Sequence, residues 1–294
     1  MKKVIFCDVD GTLIGYEMKI SEPVREAIKQ LKEKGIDFVL STGRTYRDIE
    51  ILDLKVPAIC SNGAQIVDSI GKKESIGIIN NEDAIRIIEH LKKCHHTFRI
   101  STEENNVIEE NLNILNVFLQ LSMKEKHLTL TTEVLLQRIN EYYQNIYANS
   151  IKTKDILQYI KEFTGKIIKI EVFSADEQVF IDLKQDLCQY EQYNVFSSHF
   201  ASLEIVNKDS NKGSAIKKFM DINYSNEKVT RTFAIGDGLN DLEMFRVVDE
   251  TFAMEDGNEE LKEIAKHIIP CVMNDGILKA FKIIEEETIN YAVN

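Results

Sequence analysis

Carboxylates, glycines, a hydroxyl and a lysine lie in short turns of this sequence, and together these groups suit phosphoryl chemistry. The turns are Asp8-Val9-Asp10-Gly11-Thr12, Ser41-Thr42-Gly43, Asn211-Lys212-Gly213 and Gly236-Asp237-Gly238-Leu239-Asn240-Asp241. Clustered carboxylates repel one another unless a cation lies among them, and oxygen ligands without histidine or thiol favour Mg²⁺ over zinc. Glycines expose backbone N–H groups to phosphate, and lysine offers a point charge to a phosphoryl oxygen. The residue types therefore predict phosphoryl transfer, in which positioning and charge neutralisation dominate.

These turns follow segments that the sequence predicts as buried strands. Apolar segments at 4–7, 36–41 and 58–60 alternate with helical patterns, one from Ser21 to Gly35 and one from Arg44 to Leu54. The same alternation returns after residue 212, with strands in TFAIG and TFAM and helices in KGSAIKKFMDI, LNDLEMFRVV, NEELKEIAKHI and near 276–287. It predicts a parallel sheet with right-handed crossovers. Ligands of such sheets bind beyond the carboxyl ends of the strands.

The middle of the chain has a different character. Residues 78–212 contain a single glycine, Gly165, and no proline. Helical patterns at 82–93 and 132–147, a hairpin over 98–110, a strand over 166–173, a helix in DEQVFIDLKQDL and a strand pair in VFSS and SLEIV indicate an α+β insertion. The predicted domains are a core of residues 1–81 and 206–294 and an inserted domain of residues 82–205.

Composition excludes several classes of protein. The 294 residues carry a net charge of −12, whereas proteins that bind duplex DNA usually present a basic surface, so no nucleic-acid partner is expected. No segment approaches the roughly 18–20 apolar residues of a membrane span, and no signal-peptide pattern opens the chain, which predicts a cytoplasmic protein without a membrane partner. The five cysteines form no CxxC pair, which favours reduced thiols over a zinc site.

In combination, the turns resemble the four motifs of the haloacid dehalogenase-like (HAD) phosphatase superfamily. DxDGT is matched at 8–12, the Ser/Thr motif by Thr42 in VLSTGR, the lysine motif by Lys212 in NKGSAI and GDGxND at 236–241. With SNGA at 61–64, the pattern is similar to the Cof-type subgroup with a type IIB cap. The resemblance implies an α/β fold, with a Rossmann-like parallel sheet as the core and an α+β cap inserted between the second and third motifs to cover the site. It also implies that the core is the catalytic domain and that the cap sets substrate specificity.

The resemblance also implies roles for individual residues. Asp8 would be the nucleophile that forms an aspartyl-phosphate, and Asp10 would act as the acid and then the base. Mg²⁺ would lie at the Asp8 carboxylate, the Asp10 backbone carbonyl and Asp237, beside Gly238 and Asp241. The phosphate-binding residues would be Val9, Thr42, Gly43, Lys212 and Asn240. The expected activity is Mg²⁺-dependent hydrolysis of a small phosphorylated metabolite, such as a sugar phosphate or a phosphorylated cofactor.

One segment departs from the subgroup pattern. AMGNA is common there, whereas this chain has Ala253-Met254-Glu255-Asp256-Gly257, so Asp256 would add negative charge near the sheet edge. Arg44 and Arg47 are interpreted as surface or structural ion-pair residues rather than substrate ligands.

Two alternative functions stay open from the sequence. A sugar phosphomutase could use the same scaffold, but it would require an activated sugar bisphosphate and would release an isomer instead of phosphate. A non-catalytic sensor of phosphorylated ligands is the other alternative. The presence of Asp10 argues against a sensor, because a sensor needs no acid.

Overall fold

A computed structural model of the protein describes residues 2–15, 18–112, 114–124, 147–199, 202–225 and 229–292. These residues form two β-sheets with packed helices, and each sheet has a hydrophobic core of its own. The strands are β1 Lys2–Cys7, β2 Ile36–Ser41, β3 Ala58–Cys60, β4 Gln65–Val67, β5 Lys73–Ser75, β6 Thr97–Thr102, β7 Asn106–Glu109, β8 Ser150–Thr153, β9 Ile167–Phe173, β10 Tyr193–His199, β11 Ser202–Asn207, β12 Val229–Gly236, β13 Glu250–Met254 and β14 His267–Ile269. The helices are α1 Glu22–Glu33, α2 Tyr46–Ile49, α3 Asn81–Lys93, α4 Ile114–Lys124, α5 Ile156–Glu162, α6 Glu177–Leu187, α7 Lys212–Tyr224, α8 Leu242–Phe245, α9 Glu259–Ile264 and α10 Ile277–Ala292. The helix predicted over 132–147 lies, except for its last residue, outside the described residues.

The first sheet has the strand order β14-β13-β12-β1-β2-β3-β4-β5. Its strands from β14 to β3 pair in parallel, as predicted. Cys7, the last residue of β1, pairs with Ile235 on one side and Leu40 on the other. The turns after β1, β2 and β12 therefore leave the same edge of the sheet side by side.

Two helices of this sheet begin where the sequence predicts. Ser21 caps α1 by accepting the Val24 N–H, and the helix buries Val24, Ile28 and Leu31. At α7, Asn211 and Ser214 cap each other's backbone N–H groups, which is the reciprocal arrangement of a capping box. This cap fixes the first residue of α7, Lys212, at the sheet edge.

Several predicted elements are wrong in extent. The helix predicted from Arg44 to Leu54 shrinks to α2 and a 3₁₀ turn, Glu50–Leu52, because the Arg44 backbone bonds to the Thr42 hydroxyl and to the Ser61 N–H instead. The helix predicted in LNDLEMFRVV is reduced to a 3₁₀ turn and α8. The helix predicted in NEELKEIAKHI ends at Ile264 and is followed by β14.

The sequence analysis did not predict the antiparallel pairs β3–β4 and β4–β5, which extend the first sheet. These strands are three residues long, which is too short for a residue alternation to indicate a strand.

The second sheet has the order β10-β11-β9-β6-β7-β8. The predicted hairpin over 98–110 is present as the antiparallel pair β6–β7, and the predicted strand pair is present as β10–β11. Helices α3, α5 and α6 supply Ile87, Ile160 and Leu183 to its core, where they meet Ile170 of the central strand β9. This sheet therefore has a core of its own, as an α+β insertion requires.

The contacts divide the chain into two units. The first comprises residues 1–46, 52–76 and 210–294, and the second comprises residues 47–51 and 77–209. The sequence placed residues 77–81 and 206–209 in the catalytic core, whereas they group with the second unit. It also placed residues 47–51 in the catalytic core, but Asp48 pairs with Arg99 at 2.9 Å and accepts a hydrogen bond from Asn106. Because those partners lie on β6 and β7, the segment groups with the second unit. The predicted domain roles remain predictions.

In the part of the chain that the structure describes, no helix is long and apolar enough to span a membrane.

Candidate active site

The turns after β1, β12 and the start of α7 bring carboxylates and a lysine together. The Lys212 ammonium lies 2.5 Å from Asp8 Oδ1 and 2.6 Å from Asp241 Oδ1. Lys212 and Asp241 are fully buried, and Asp8 is nearly so. The lysine therefore joins the first, third and fourth motifs in one ion-paired cluster.

Asp241 also shapes the turn that carries Asp237. Its Oδ2 accepts the backbone N–H groups of Asp237, at 3.0 Å, and Gly238, at 2.9 Å. The Asp237 carboxylate accepts a hydrogen bond from the Thr12 hydroxyl at 3.0 Å, and its backbone carbonyl accepts the Asn258 N–H. Asp237 is thus held from three sides.

Two glycines allow these carboxylates to approach the backbone. Gly11 has φ +82°, and a Cβ at this position would overlap the Asp237 carboxylate. A Cβ at Gly236 would overlap the carboxylate of Asp241. Glycine is required at both positions, because any side chain would displace a carboxylate from the cluster.

Burial and mutual repulsion raise the pKa of two carboxyl groups of the cluster, those of Asp8 and Asp237. Burial, opposed by Lys212 and reinforced by Asp241 and Asp237, raises the pKa of Asp8 well above its usual value. Burial and the nearby Asp241 raise the pKa of Asp237 to about 6. One lysine thus leaves negative charge in the cluster that its own attraction does not balance.

The donor set fits a hard divalent cation. One oxygen from each of Asp8, Asp237 and Asp241 lies within 4.8 Å of the others. Carboxylate oxygens without imidazole or thiolate are the ligands that Mg²⁺ prefers. The Asp241 oxygens already accept from Lys212, Asp237 and Gly238, so Asp8 and Asp237 have the greater capacity to bind a cation.

Three of the predicted phosphate-binding residues, Thr42, Gly43 and Asn240, meet at Asn62, whose role the sequence analysis missed. Asn62 Oδ1 accepts a hydrogen bond from the Asn240 amide at 3.1 Å. The Asn62 side chain also packs against Gly43, where an added Cβ would lie 3.0 Å from Asn62 Nδ2. The Asn62 N–H donates to the Thr42 carbonyl. Asn62 is thus the common neighbour of Thr42, Gly43 and Asn240.

A sequence signal for Asn62 exists in the SNGA segment. Ser61, Asn62 and Gly63 have φ values of +51°, +51° and +96°, and Asn and Gly are the residues that adopt such left-handed conformations most readily. The Asn-Gly pair after a strand therefore signals a tight turn. Nothing in its sequence says that this turn points its amide at the fourth motif.

Asp10 and Val9 flank the carboxylate cluster in sequence, and their hydrogen bonds go to other residues. The Asp10 carboxylate accepts two hydrogen bonds from Arg44, and its side chain is 53% exposed. Val9 is buried, and its carbonyl accepts the N–H groups of Leu13 and Ile14. Arg44 is an ion-pair residue, in agreement with the sequence interpretation, while Asp256 is exposed and lies outside the acidic cluster that the described residues form.

The comparisons with known proteins agree with the motifs. A family model described as haloacid dehalogenase-like hydrolase matches residues 5–281. The 5-amino-6-(5-phospho-D-ribitylamino)uracil phosphatase YwtE of Bacillus subtilis is 31% identical over 268 residues, which cover 89% of this chain and 90% of that protein.

Solved structures share the fold. A haloacid dehalogenase-like hydrolase from B. subtilis superimposes with a TM-score of 0.81 at 24% identity, covering 95% of this chain and 98% of that one. The HAD subclass IIB sugar phosphatase BT4131 gives a TM-score of 0.71 at 19% identity, covering 96% and 99%. The family match, the phosphatase relative and the shared fold confirm the resemblance drawn from the four motifs, and the chain therefore belongs to the haloacid dehalogenase-like hydrolase family, as a Cof-type phosphatase.

Proposed function

We propose that this protein is a Mg²⁺-dependent phosphatase that hydrolyses a small phosphorylated metabolite through an aspartyl-phosphate on Asp8. The observation that carries the proposal is the cluster in which Lys212 contacts Asp8 and Asp241 while Asp237 lies beside them. A nucleophilic carboxylate next to a buried cationic side chain and a candidate metal site is the arrangement that phosphoryl transfer requires.

In the first step, the Asp8 carboxylate attacks phosphorus and the bond from phosphorus to the leaving oxygen breaks. Asp10 gives its proton to that oxygen. In the second step, Asp10 takes a proton from water, whose oxygen attacks the same phosphorus, and the bond to Asp8 breaks to release phosphate. Lys212 stays next to Asp8 throughout and offsets negative charge on the phosphoryl oxygens.

Mg²⁺ would be held by Asp8, Asp237 and the Asp10 backbone carbonyl, with Asp241 and Gly238 shaping the turn around it. Such an ion neutralises charge on the phosphoryl group. Thr42, Gly43, Asn240 and the Val9 backbone would bind phosphoryl oxygens. The convergence of Thr42, Gly43 and Asn240 on Asn62 supports this assignment for three of the four.

The substrate class proposed is a phosphomonoester of a sugar, a sugar alcohol or a phosphorylated cofactor. The relative named for 5-amino-6-(5-phospho-D-ribitylamino)uracil makes that compound a first member of a test panel, together with sugar phosphates and pyridoxal phosphate. A panel is needed because the motifs bind the phosphoryl group that all these esters share.

The test is phosphate release from the panel in Mg²⁺ and after EDTA, by the native chain and by Asp8→Asn. We expect release that EDTA abolishes and that Asp8→Asn lowers by at least about 10³-fold, because the amide is no nucleophile. Asp221→Asn is the control, since Asp221 is an exposed residue of α7 with the same charge change. Undiminished release by Asp8→Asn would contradict the proposal.

The same assay separates the two alternatives. A phosphomutase would convert a sugar phosphate into its isomer, would depend on added sugar bisphosphate and would release little free phosphate. A sensor would bind panel members without turnover in any metal condition.

A further inference from the structure

Arg44 donates two parallel hydrogen bonds to the Asp10 carboxylate. Its Nε lies 2.8 Å from Asp10 Oδ2, and one terminal nitrogen lies 2.6 Å from Asp10 Oδ1. The guanidinium fork matches both carboxylate oxygens, so it fixes the plane of the carboxylate as well as its distance. A lysine in this place could form only a point contact.

Arg44 is itself anchored to the proposed phosphate site. Its backbone N–H donates to the Thr42 hydroxyl at 3.0 Å, and its carbonyl accepts the Ser61 N–H at 2.8 Å. Its side chain is 15% exposed and also contacts the Met18 sulfur at 3.3 Å. Arg44 therefore connects the Asp10 side chain to the turns after β2 and β3.

Stability alone is a weak reason for this pair. The Asp10 side chain is 53% exposed, and ion pairs with so much solvent access contribute about 1 kcal/mol or less. An exposed aspartate without a partner would also sample several rotamers. The pair restricts Asp10 to one of them, two residues after the proposed nucleophile.

We propose that Arg44 is a positioning residue that holds the Asp10 carboxylate in place for proton transfer. The inference rests on the proposed function and deepens it. When Asp10 has passed its proton to the leaving oxygen, the fork of Arg44 keeps the resulting carboxylate oriented until it takes a proton from the attacking water. Arg44 keeps its own protons in both steps.

The test compares Arg44→Gln and Arg44→Lys with the native enzyme in Mg²⁺, in a single turnover that measures release of the leaving group. An alkyl phosphate such as ribose 5-phosphate needs protonation of its leaving oxygen, whereas 4-nitrophenyl phosphate does not. We expect Arg44→Gln to slow the alkyl ester by about 100-fold and the aryl ester by less than about 5-fold. Arg44→Lys should lie between the native enzyme and Arg44→Gln for the alkyl ester, since it keeps the charge without the fork.

A double variant tests whether Arg44 acts through Asp10. In the Asp10→Asn background, Arg44→Gln should slow the alkyl ester by less than about 3-fold more, because residues that act as a unit are not additive. Arg86→Gln is the control, as Arg86 is an exposed residue of α3 whose pairs are with helix neighbours. Its rates should equal those of the native enzyme.

Equal losses for the two esters, or a full additional loss in the Asp10→Asn background, would overturn the inference while leaving the phosphatase intact. Failure of the proposed function gives a different result, since the native chain would then release no phosphate from any ester or Asp8→Asn would retain full activity. Thermal melting of each variant identifies a misfolded protein, and Arg44→Lys, which preserves the charge, then provides the comparison of the two esters.

Discussion

At the scale of single residues, the site depends on polar side chains that hold other polar side chains. Asp241 accepts two backbone N–H groups and the Lys212 ammonium. Asn62 accepts from Asn240 while its own backbone donates to Thr42. Such partners need no contact with the substrate to affect the reaction, because they determine where the contacting atoms lie.

Asn62→Gly isolates the contribution of the Asn62 amide. Glycine adopts the φ of +51° found at Asn62 without strain, so the turn should persist while the Asn62 side chain, with its acceptor for Asn240, is lost. We expect KM for phosphate esters and Ki for inorganic phosphate to rise about 5–10-fold, as for the loss of about 1 kcal/mol of hydrogen bonding. Steady-state kinetics with phosphate as inhibitor measures both. Unchanged KM and Ki would show that Asn240 is oriented without Asn62, and Asn105→Gly in the β6–β7 turn is the matched control.

At the scale of elements, short connections determine which residues meet. The sequence predicts β1, β2, β12 and α7 well, because each has a clear apolar segment or cap and a turn directly beside it. It predicts too long a helix after Arg44 and after Gly238. In the first case, the tie from the Arg44 backbone to the Thr42 hydroxyl is a tertiary contact that no helical pattern reveals.

In the candidate site, too, the sequence predicted some features and missed others. The four motifs could be read from the sequence, and the structure places their ionic residues, apart from Asp10, in one cluster. The paired hydrogen bonds between Arg44 and Asp10 and the hydrogen bond between Asn62 and Asn240 could not be read from the sequence, because each joins residues more than 30 positions apart. Which of several nearby polar side chains pair is decided by the geometry of the turns.

Gly213→Ala should disturb the site through an element rather than through a functional group. A Cβ at Gly213 would overlap the carbonyl of Glu243, so the first turn of α7 must shift away from α8 and carry Lys212 with it. We expect a loss of about 1–3 kcal/mol in unfolding free energy and a fall in kcat of at least about 10-fold.

Gly35→Ala is the matched control for Gly213→Ala. Gly35 has φ +75° and no atom within 4 Å of a built Cβ, so alanine there should cost about 1–2 kcal/mol from backbone strain alone while kcat stays unchanged. Melting curves and kcat of both variants make the comparison. A normal kcat in Gly213→Ala would show that the position of Lys212 does not depend on this contact.

At the scale of the whole molecule, the net charge of −12 says less about function than the few carboxylates buried at the sheet edge. Those carboxylates carry a cost in the metal-free protein, which the raised pKa values of Asp8 and Asp237 express. A bound cation offsets that cost, so metal binding and folding stability are linked.

This linkage has a definite sign with pH. In the metal-free protein, the pKa of Asp237 rises from 3.8 to about 6, so between these values the native state binds a proton that the unfolded state has lost. Stability of the metal-free protein should therefore fall as pH rises through this window, with no recovery of this contribution above it. Mg²⁺ requires the ionised carboxylates, so it should raise the melting temperature little at pH 5 and most above about pH 7, where an ion at 100 times its Kd adds about 2.7 kcal/mol.

Melting curves with Mg²⁺ and with EDTA at pH 5 and pH 7.5 measure this difference, and Asp237→Asn should remove most of the Mg²⁺ effect at pH 7.5 because it deletes a ligand. The same variant should also weaken the pH dependence of the metal-free protein, since an amide does not titrate and the repulsion between Asp237 and Asp241 is gone, while the raised pKa of Asp8 leaves part of that dependence. Asp221→Asn, with the same change on an exposed position of α7, should behave as the native chain does. An equal Mg²⁺ effect at both pH values, or one that survives in Asp237→Asn, would place the cation away from the carboxylates that β1 and β12 bring together.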